Sequence, residues 1–147
     1  MKVEVIVDKK YENTNIIIYT NRMTDEINNI VEKFSDDDNQ NIIVGYKDNK
    51  LFILEENNIE TVYAESGKVI IRCNGEEYIS KKRLYELEEI LNKKNFIRVS
   101  KSEIVNFNKV KNIDYKVIGT LILNFKSGNK SYASRRYISS IKDFLKI

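Results

Sequence analysis

The sequence contains no histidine, no proline and only one cysteine among its 147 residues. Histidine is the commonest general base and the commonest metal ligand in proteins, so its absence argues against both kinds of site. A zinc site of the finger or ribbon kind is excluded, because it needs several Cys or His ligands. The lone Cys73 cannot form a disulfide within the chain, which is typical of a reducing compartment. The five glycines are scattered singly, so there is no glycine-rich phosphate-binding loop.

Long hydrophobic runs are also missing. No stretch approaches the roughly 18 apolar residues that a membrane-spanning helix needs, and the N-terminal MKVEVIVDKK does not resemble a signal peptide. We therefore expect a cytoplasmic protein that does not contact a membrane. Carboxylates are plentiful, but they lie in polar, turn-like runs, for example Glu55, Glu56, Glu76 and Glu77. Because no histidine accompanies them, the sequence predicts no enzyme, catalytic residue, cofactor, metal or small-molecule substrate.

The residues that are present describe a folded, strand-rich chain. Hydrophobic residues make up 41% of the sequence, and nine Tyr and six Phe accompany abundant Ile and Val, which favours β-strands. The charge is uneven along the chain. Residues 1–80 carry 9 Lys and Arg against 16 Asp and Glu, a net of −7, whereas residues 81–147 carry 16 against 6, a net of +10. This asymmetry predicts a cationic face for a polyanion, with charges that merely solubilise the surface as the alternative.

Hydrophobic periodicity predicts a mostly β protein with helices, of the β-rich α+β class, in two parts. Residues 1–41 form a small β-β-α appendage, with strands at 2–7 and 15–19 and a helix at 25–34 that Thr24 caps. An acidic loop at 35–41 marks the boundary. Residues 42–147 form the main domain, with helices at 81–92 and 135–145. Its predicted strands are 42–46, 51–54, 61–64, 69–73, 77–79, 96–99, 109–117, 120–125 and 130–133.

Both helices of the main domain are predicted to begin with cations. Ser80 precedes Lys81, Lys82 and Arg83, and Ser134 precedes Arg135 and Arg136. Cations at the positive end of a helix dipole cost about 0.3–1 kcal/mol each when exposed. The cost becomes an attraction if both helix starts face phosphate, whose oxygens accept from the free N–H groups. Side chains that simply extend into screened solvent are the alternative.

A further signal lies in FIRVSKSEIVNFNKVKNID, residues 96–114, which begins as a strand and is interrupted by a polar patch at 100–103. The residues Phe96, Arg98, Ser102, Val105 and Asn106 together resemble the central signature of the LytTR-type DNA-binding domain. The downstream stretch LILNFKSGNKSYASRRYISSIKDFL is similar to the closing hairpin and final helix of that family. The upstream stretch IETVYAESGKVIIRC is similar to its early hairpin. The likeness runs from residue 42 to residue 147.

This resemblance implies LytTR-like layered β-sheets with two flanking helices, which bind double-stranded DNA through loops and strand ends. Contacts are expected in successive major grooves, on paired imperfect direct repeats, with the DNA bent. Base-contacting candidates are Lys68, Lys101 and Arg136. Backbone-contacting candidates are Lys81, Lys82, Arg83, Arg98, Ser100, Ser102, Lys130, Ser134 and Arg135. Of these, Arg98, Ser102 and Arg135 are equally compatible with local scaffolding, and Glu103 is expected to orient one of the cations.

The chain departs from the family pattern in two ways. Many members have His where this sequence has Ser100, so the contact made by that imidazole is in doubt. The family is common at the output end of response regulators, but residues 1–41 are too short for a receiver domain. We expect a free-standing regulator that acts as a homodimer, with residues 1–41 either forming the dimer interface or packing on their own domain. The alternative function is a non-enzymatic sensing or protein-interaction module whose basic face meets an acidic partner.

Overall fold

The computed structural model describes residues 2–34, 42–115 and 120–147. It divides the chain into two compact units, residues 1–38 and 39–147. The acidic loop at 35–41, where the sequence predicts the domain boundary, lies outside the described residues. The C-terminal end of the predicted strand 109–117 lies outside them as well.

The N-terminal unit contains the predicted helix, α1, with the predicted bounds Asp25–Phe34. Thr24 caps it as expected, since its hydroxyl accepts from the Ile27 N–H at 3.3 Å and its carbonyl accepts from the Asn28 N–H at 2.9 Å. None of the ten helical residues is buried. The apolar stripe of α1 therefore stays at least partly exposed, and Phe34 is 57% accessible.

The two predicted strands of the N-terminal unit are wrong. No residue of 2–20 is in a strand, and a backbone hydrogen bond there closes a local turn, in which the Tyr11 N–H donates to the Asp8 carbonyl at 3.2 Å. Alternating apolar residues give a segment one apolar face, but a strand also needs a neighbour for its backbone groups. The described N-terminal unit is thus a single helix preceded by irregular chain.

The C-terminal unit contains ten strands and two helices within its described residues. The strands are β1 (Ile43–Lys47), β2 (Lys50–Leu54), β3 (Ile59–Glu65), β4 (Lys68–Cys73), β5 (Glu76–Ser80), β6 (Phe96–Ser100), β7 (Glu103–Asn106), β8 (Val110–Asp114), β9 (Thr120–Phe125) and β10 (Lys130–Ser134). The helices are α2 (Leu84–Ile90) and α3 (Ile138–Leu145). The predicted class, mostly β with two flanking helices, is confirmed.

All strand pairs are antiparallel, and they form two sheets. The larger sheet has the order β2-β1-β5-β4-β3-β7-β6, and the smaller has the order β10-β9-β8. The polar patch at residues 100–103 forms the turn between β6 and β7. Strand β7 itself was not predicted from the sequence. Pairing of Phe96 with Asn106 and of Ser100 with Glu103 defines this hairpin.

Two apolar cores lie on opposite faces of the larger sheet. Helix α2 packs on one face, where Leu84 and Leu87 join a cluster that includes Ile71 and Ile104. The smaller sheet and α3 pack on the other face. There the cluster consists of Val99, Val105, Leu123, Phe125, Ala133 and Ile141. Successive residues of β7, Ile104 and Val105, point to opposite cores, as the period-two geometry of a strand requires.

A buried amide supports the strand that follows the β6–β7 turn. Asn106 is 1% accessible, and its Nδ2 donates to the Ile59 carbonyl at 2.8 Å. Its Oδ1 accepts from the Asn108 N–H at 3.0 Å and so begins the 3-10 turn Phe107–Lys109. Because both polar groups of the amide are satisfied, Asn106 holds β7 against β3 without an unpaired buried dipole.

Candidate nucleic-acid interface

Strand register brings three basic segments to one end of the larger sheet. Pairing of Glu65 with Lys68 closes the β3–β4 turn, and pairing of Val69 with Ser80 sets the end of β5 beside it. The Ala64 N–H donates to the Ser102 carbonyl at 2.8 Å, which sets the β6–β7 turn next to the β3–β4 turn. We call this end of the sheet the basic end, and its cations are Lys68, Lys81, Lys82, Arg83 and Lys101.

The cations of the basic end are exposed. Among the described residues, none of them lies within ion-pair distance of a carboxylate. Lys81 contacts an aromatic ring, with its Nζ 4.3 Å from the centre of the Tyr46 ring. A ring face attracts a cation without neutralising it. The basic end therefore presents uncompensated positive charge to solvent.

The cations at 81–83 do not sit inside a helix, and the predicted start of α2 is wrong. Ser80 ends β5, and its hydroxyl accepts from the Lys82 N–H at 3.0 Å. Helix α2 begins at Leu84, where Glu86 accepts from the Arg83 N–H at 3.1 Å. Lys81 and Lys82 therefore precede the helix, and Arg83 is its N-cap residue, with Glu86 in the first turn to offset its charge. The expected dipole penalty is reduced accordingly.

Arg98 is bound by three acceptors of its own chain. Its Nη1 donates to Glu88 on α2 at 2.6 Å, and its Nε donates to the Ser100 carbonyl at 3.1 Å. Its Nη2 makes a short hydrogen bond to the Lys101 carbonyl. A guanidinium fixes several acceptors at once because its donors form a rigid fork. Of the two roles predicted for Arg98, this geometry favours scaffolding, since the side chain ties the Lys101 turn to α2.

The hydroxyls of the turn have different surroundings. Ser100 Oγ accepts from the Ser102 N–H at 3.2 Å and lies 3.5 Å from Ser102 Oγ, so it supports the turn. Ser102 is exposed beside Lys101. An exposed hydroxyl can donate to a phosphate oxygen, which makes Ser102 the freer of the two predicted contacts.

The segment that contains Arg135 and Arg136 also differs from its prediction, because it is not the first turn of an α-helix. Arg135–Tyr137 forms a 3-10 turn directly after β10, and α3 begins at Ile138. Arg135 and Arg136 are exposed and make no ion pair with any described carboxylate. Ser134 does not cap the turn with its side chain, because it belongs to β10 and pairs with Thr120. The 3-10 turn contacts β6, the strand that leads to Lys101.

Lys130 lies at the opposite end of β10 from Arg135 and Arg136, the other basic candidates near this strand. It begins β10, whereas Ser134 ends it. A strand rises about 3.3 Å per residue, so the backbone positions of the two lie about 13 Å apart. The structure therefore does not group Lys130 with Arg135 and Arg136.

Two carboxylates connect the sheets, a role that was not predicted for either from the sequence. Glu103 does not contact a cation, contrary to expectation. Its Oε2 accepts from the Thr61 hydroxyl at 2.6 Å and from the Ser131 hydroxyl at 2.7 Å. Glu60 accepts from Asn129 Nδ2 at 3.0 Å and also from Ser127. The partners are 28 to 69 positions away in sequence, so no local pattern could indicate them.

Other site chemistry is sparse in the described parts of the chain. No three His, Cys, Asp or Glu side chains there are arranged to hold a metal. Burial raises the pKa of the Cys73 thiol, which disfavours the reactive thiolate. Within residues 2–34, 42–115 and 120–147, no helix has the length and apolar character to cross a membrane.

Comparison with known proteins gives three findings. A model of the family described as LytTr DNA-binding domain matches residues 49–146. Proteins named uncharacterized HTH-type transcriptional regulators from Staphylococcus aureus strains MSSA476 and NCTC 8325 are 32% and 31% identical over 147 residues, which is 100% of this chain and 99% of theirs. A solved LytTr DNA-binding domain of a putative methyl-accepting/DNA response regulator from Bacillus cereus superposes with a TM-score of 0.70 at 24% identity, covering 72% of this chain and 97% of that one.

Proposed function

This chain belongs to the LytTr DNA-binding domain family, and on that basis we propose that it is a transcriptional regulator that recognises duplex DNA through the turns of its basic end. Lys68, Lys101 and Arg136 contact base edges in the major groove, and the surrounding cations and hydroxyls contact phosphates. The target consists of paired imperfect direct repeats. The regulator is cytoplasmic and performs no catalysis.

The observation that carries this proposal is the grouping of five exposed cations, none with a described carboxylate partner, at one end of the sheet. In the strand order, the β4–β3 and β7–β6 hairpins are adjacent, so their turns are about two strand spacings, roughly 10 Å, apart. A major groove is about 12 Å wide. Both turns can therefore approach one face of a duplex together.

The chemistry of the candidates also suits DNA. A Lys or Arg that reaches a base edge most naturally selects guanine, whose O6 and N7 are both acceptors in the major groove. Phosphate contacts position the protein on the duplex but carry no sequence information. The proposal therefore separates Lys68, Lys101 and Arg136, which set specificity, from Lys81, Lys82 and Arg83, which set affinity.

Salt-dependent binding tests the proposal. A duplex enriched by the full chain from a random library should bind with a log K that falls by about 0.9 per phosphate contact as log salt rises. Failure to enrich any duplex, or a flat salt dependence, would overturn it. An acidic protein partner would then become the better explanation of the basic end.

Arg136→Ala separates base recognition from general attraction. Loss of a base contact should cost about 1–3 kcal/mol on the enriched duplex and relax the preference at one base pair. An equal loss on every sequence would instead assign Arg136 to phosphate contact. A matched control is Lys142→Ala, which removes an exposed cation from α3 outside the candidate set.

We also propose that the regulator acts as a homodimer on its paired repeats, with the N-terminal unit as the interface. The exposed Phe34 on α1 supports this, since the helix buries none of its own residues. Light scattering of the full chain with duplexes that carry one or two repeats should show two copies on the two-repeat duplex. Phe34→Ser should lower cooperativity there without changing affinity for a single repeat. Independent binding to the two repeats by the unmodified chain would contradict the dimer.

A further inference from the structure

Glu103 occupies the point where the two sheets meet beside the basic end. Both of its hydrogen-bond donors are buried, since Thr61 is 0% and Ser131 is 4% accessible. Both hydroxyls donate to the same oxygen, Oε2, at 2.6 and 2.7 Å. Hydrogen bonds to an ionised acceptor are shorter and roughly twice as strong as neutral ones. One carboxylate oxygen therefore joins β3, β7 and β10.

Each of these three strands leads to one of the predicted base-contacting residues. Strand β3 runs from Thr61 into the turn that carries Lys68. Strand β7 begins at Glu103, two positions after Lys101. Strand β10 runs from Ser131 to the 3-10 turn that carries Arg136. Lys101 and Arg136 come from different sheets, so their separation depends on how the sheets are held together.

We propose that Glu103 is a positioning residue that fixes Lys68, Lys101 and Arg136 at the mutual spacing required for sequence recognition. The inference rests on the proposed function. Glu103 does not itself contact DNA, because a carboxylate there would be repelled by phosphate and its acceptor oxygen is occupied by the two hydroxyls. Its effect is therefore on specificity and reaches the DNA through the segments it holds.

The alternative roles of Glu103 make different predictions. If the carboxylate merely opposes DNA by its charge, Glu103→Gln and Glu103→Ala should both strengthen binding to every sequence. If it positions the strands, Glu103→Gln should retain most specificity, because a single amide oxygen can accept both hydroxyls. Glu103→Ala should lose specificity, because the buried Ser131 hydroxyl loses its carboxylate acceptor and the Thr61 hydroxyl is left with the Ile104 carbonyl of β7 alone, so this link between β10 and the larger sheet is lost.

Glu60 supplies a matched control. It also lies on β3, is 8% accessible and accepts from two residues of the β9–β10 turn, Ser127 and Asn129. These partners precede β10, at the end of the hairpin remote from Arg136. Glu60→Ala should therefore weaken the same sheet-to-sheet packing without moving the Arg136 segment.

The test uses the full chain and a duplex enriched by the unmodified chain, compared with a scrambled duplex of the same length. Glu103→Ala should lower the ratio of the two affinities by about tenfold to a hundredfold, the size of a lost base contact, while affinity for the scrambled duplex is retained. Glu103→Gln and Glu60→Ala should keep the ratio within about threefold, which is below the cost of one such contact. An unchanged ratio in Glu103→Ala, or an equal fall in Glu60→Ala, would overturn the inference.

Three further outcomes are informative. If Glu103→Ala does not fold, Ser131→Ala replaces it, since that change removes one donor and keeps the carboxylate; it too should lower the ratio, and an unchanged ratio would count against the inference. If the unmodified chain enriches no duplex, the proposed function fails and not the positioning role alone. Retained specificity in every variant, with a duplex enriched normally, would leave the proposed function standing and remove Glu103 from it.

Discussion

The two ends of the larger sheet carry their charges in different ways. At the end opposite the basic end, beside the β4–β5 turn, Lys47 Nζ lies 2.9 Å from a Glu76 oxygen and Arg72 Nη2 lies 2.9 Å from a Glu77 oxygen. At the basic end, Arg98 pairs with Glu88, but Lys68, Lys81, Lys82, Arg83 and Lys101 pair with no described carboxylate. The same strands, β4 and β5, contribute to both ends. The cations at the opposite end are therefore neutralised by carboxylates of the same chain, whereas the five cations of the basic end remain free to bind an anion.

This difference shows why the net charge of the chain is a poor guide to its partner. The formal net charge is only +3. A polyanion responds to the local field and not to the total, and none of the five cations of the basic end forms an ion pair with a described carboxylate. The comparison can be broken by removing the same number of cations from either end, which the first prediction and its control do.

The largest effect is expected from removing three cations of the basic end. The combined variant Lys81→Ala, Lys82→Ala and Arg83→Ala should reduce the salt slope of DNA binding by about 2.7, if each meets one phosphate, which is about 500-fold in affinity between 1 M and 0.1 M salt. Fluorescence anisotropy at several salt concentrations measures the slope. Helix α2 should persist, because these residues precede it.

The matched control removes three cations from the opposite end. Lys47, Lys93 and Lys109 lie near the start or end of the strands there, and their replacement by Ala lowers the net charge equally. The salt slope of DNA binding should then change little. Equal slopes in the two triple variants would mean that total charge, and not its placement, governs binding.

A smaller effect is expected from Lys101→Ala. Loss of one base contact should cost about 1–3 kcal/mol on the enriched duplex and relax the preference at one base pair. Lys47→Ala removes a cation that is already paired with Glu76 and should leave both affinity and preference unchanged. Anisotropy titrations against single base-pair substitutions measure both. A uniform loss across all duplexes would make Lys101 a phosphate contact.

Much of the fold follows from the sequence, where local and tertiary preferences agree. Helix α1 has its predicted bounds, and Asn74-Gly75 forms the tight turn between two predicted strands, with φ of 52° and 78°. Asn and Gly tolerate the left-handed region that a tight hairpin needs. The N-terminal strands fail because alternation specifies a face but not a pairing partner. Both basic helix starts shift because the preceding Ser80 and Ser134 are used by strands.

The candidate site was only partly predictable. The excess of cations after residue 80 indicates a basic face, but charge along the chain does not include Lys68 in it; only the family resemblance predicts that. Strand register sets Lys68 near Lys81, through the pairing of Val69 with Ser80. The roles of Arg98 and Glu103 also depend on partners that only the folded chain brings together. The charged residues can be read from the sequence, but tertiary packing determines which of them have hydrogen-bond or ion-pair partners within the chain.

A moderate effect on stability is expected from Arg98→Lys. Lysine keeps the charge but cannot hold three acceptors in the fixed geometry of the guanidinium, so the free energy of unfolding should fall by about 1–2 kcal/mol. The salt slope should be unchanged, because the charge remains. Urea unfolding and anisotropy measure the two. A slope that falls by about 0.9 in Arg98→Ala, with stability unaffected, would instead place Arg98 on a phosphate.

The smallest effect concerns the paired carboxylates of the opposite end. The hydrogen bond from Arg72, and after it that from Tyr63, holds the pKa of Glu77 below its ordinary value of 4.5. A depressed folded pKa stabilises the folded state above the unfolded pKa, and the contribution is lost as pH falls through the folded value. Glu77→Gln should therefore flatten the decline of unfolding free energy below about pH 4.5.

The expected change is under about 1 kcal/mol, because the ion pair is largely exposed and solvent screens it. Tyr63→Phe removes one of the two donors to Glu77 and should flatten the acid decline by less. Neither change should alter DNA affinity at neutral pH, since the hydrogen bond between the Tyr63 hydroxyl and Glu77 includes none of the cations of the basic end. A loss of affinity in Glu77→Gln with stability unchanged would show that the two ends are not independent. The internal pairing of Arg72 would then have to be counted as part of the DNA-binding surface.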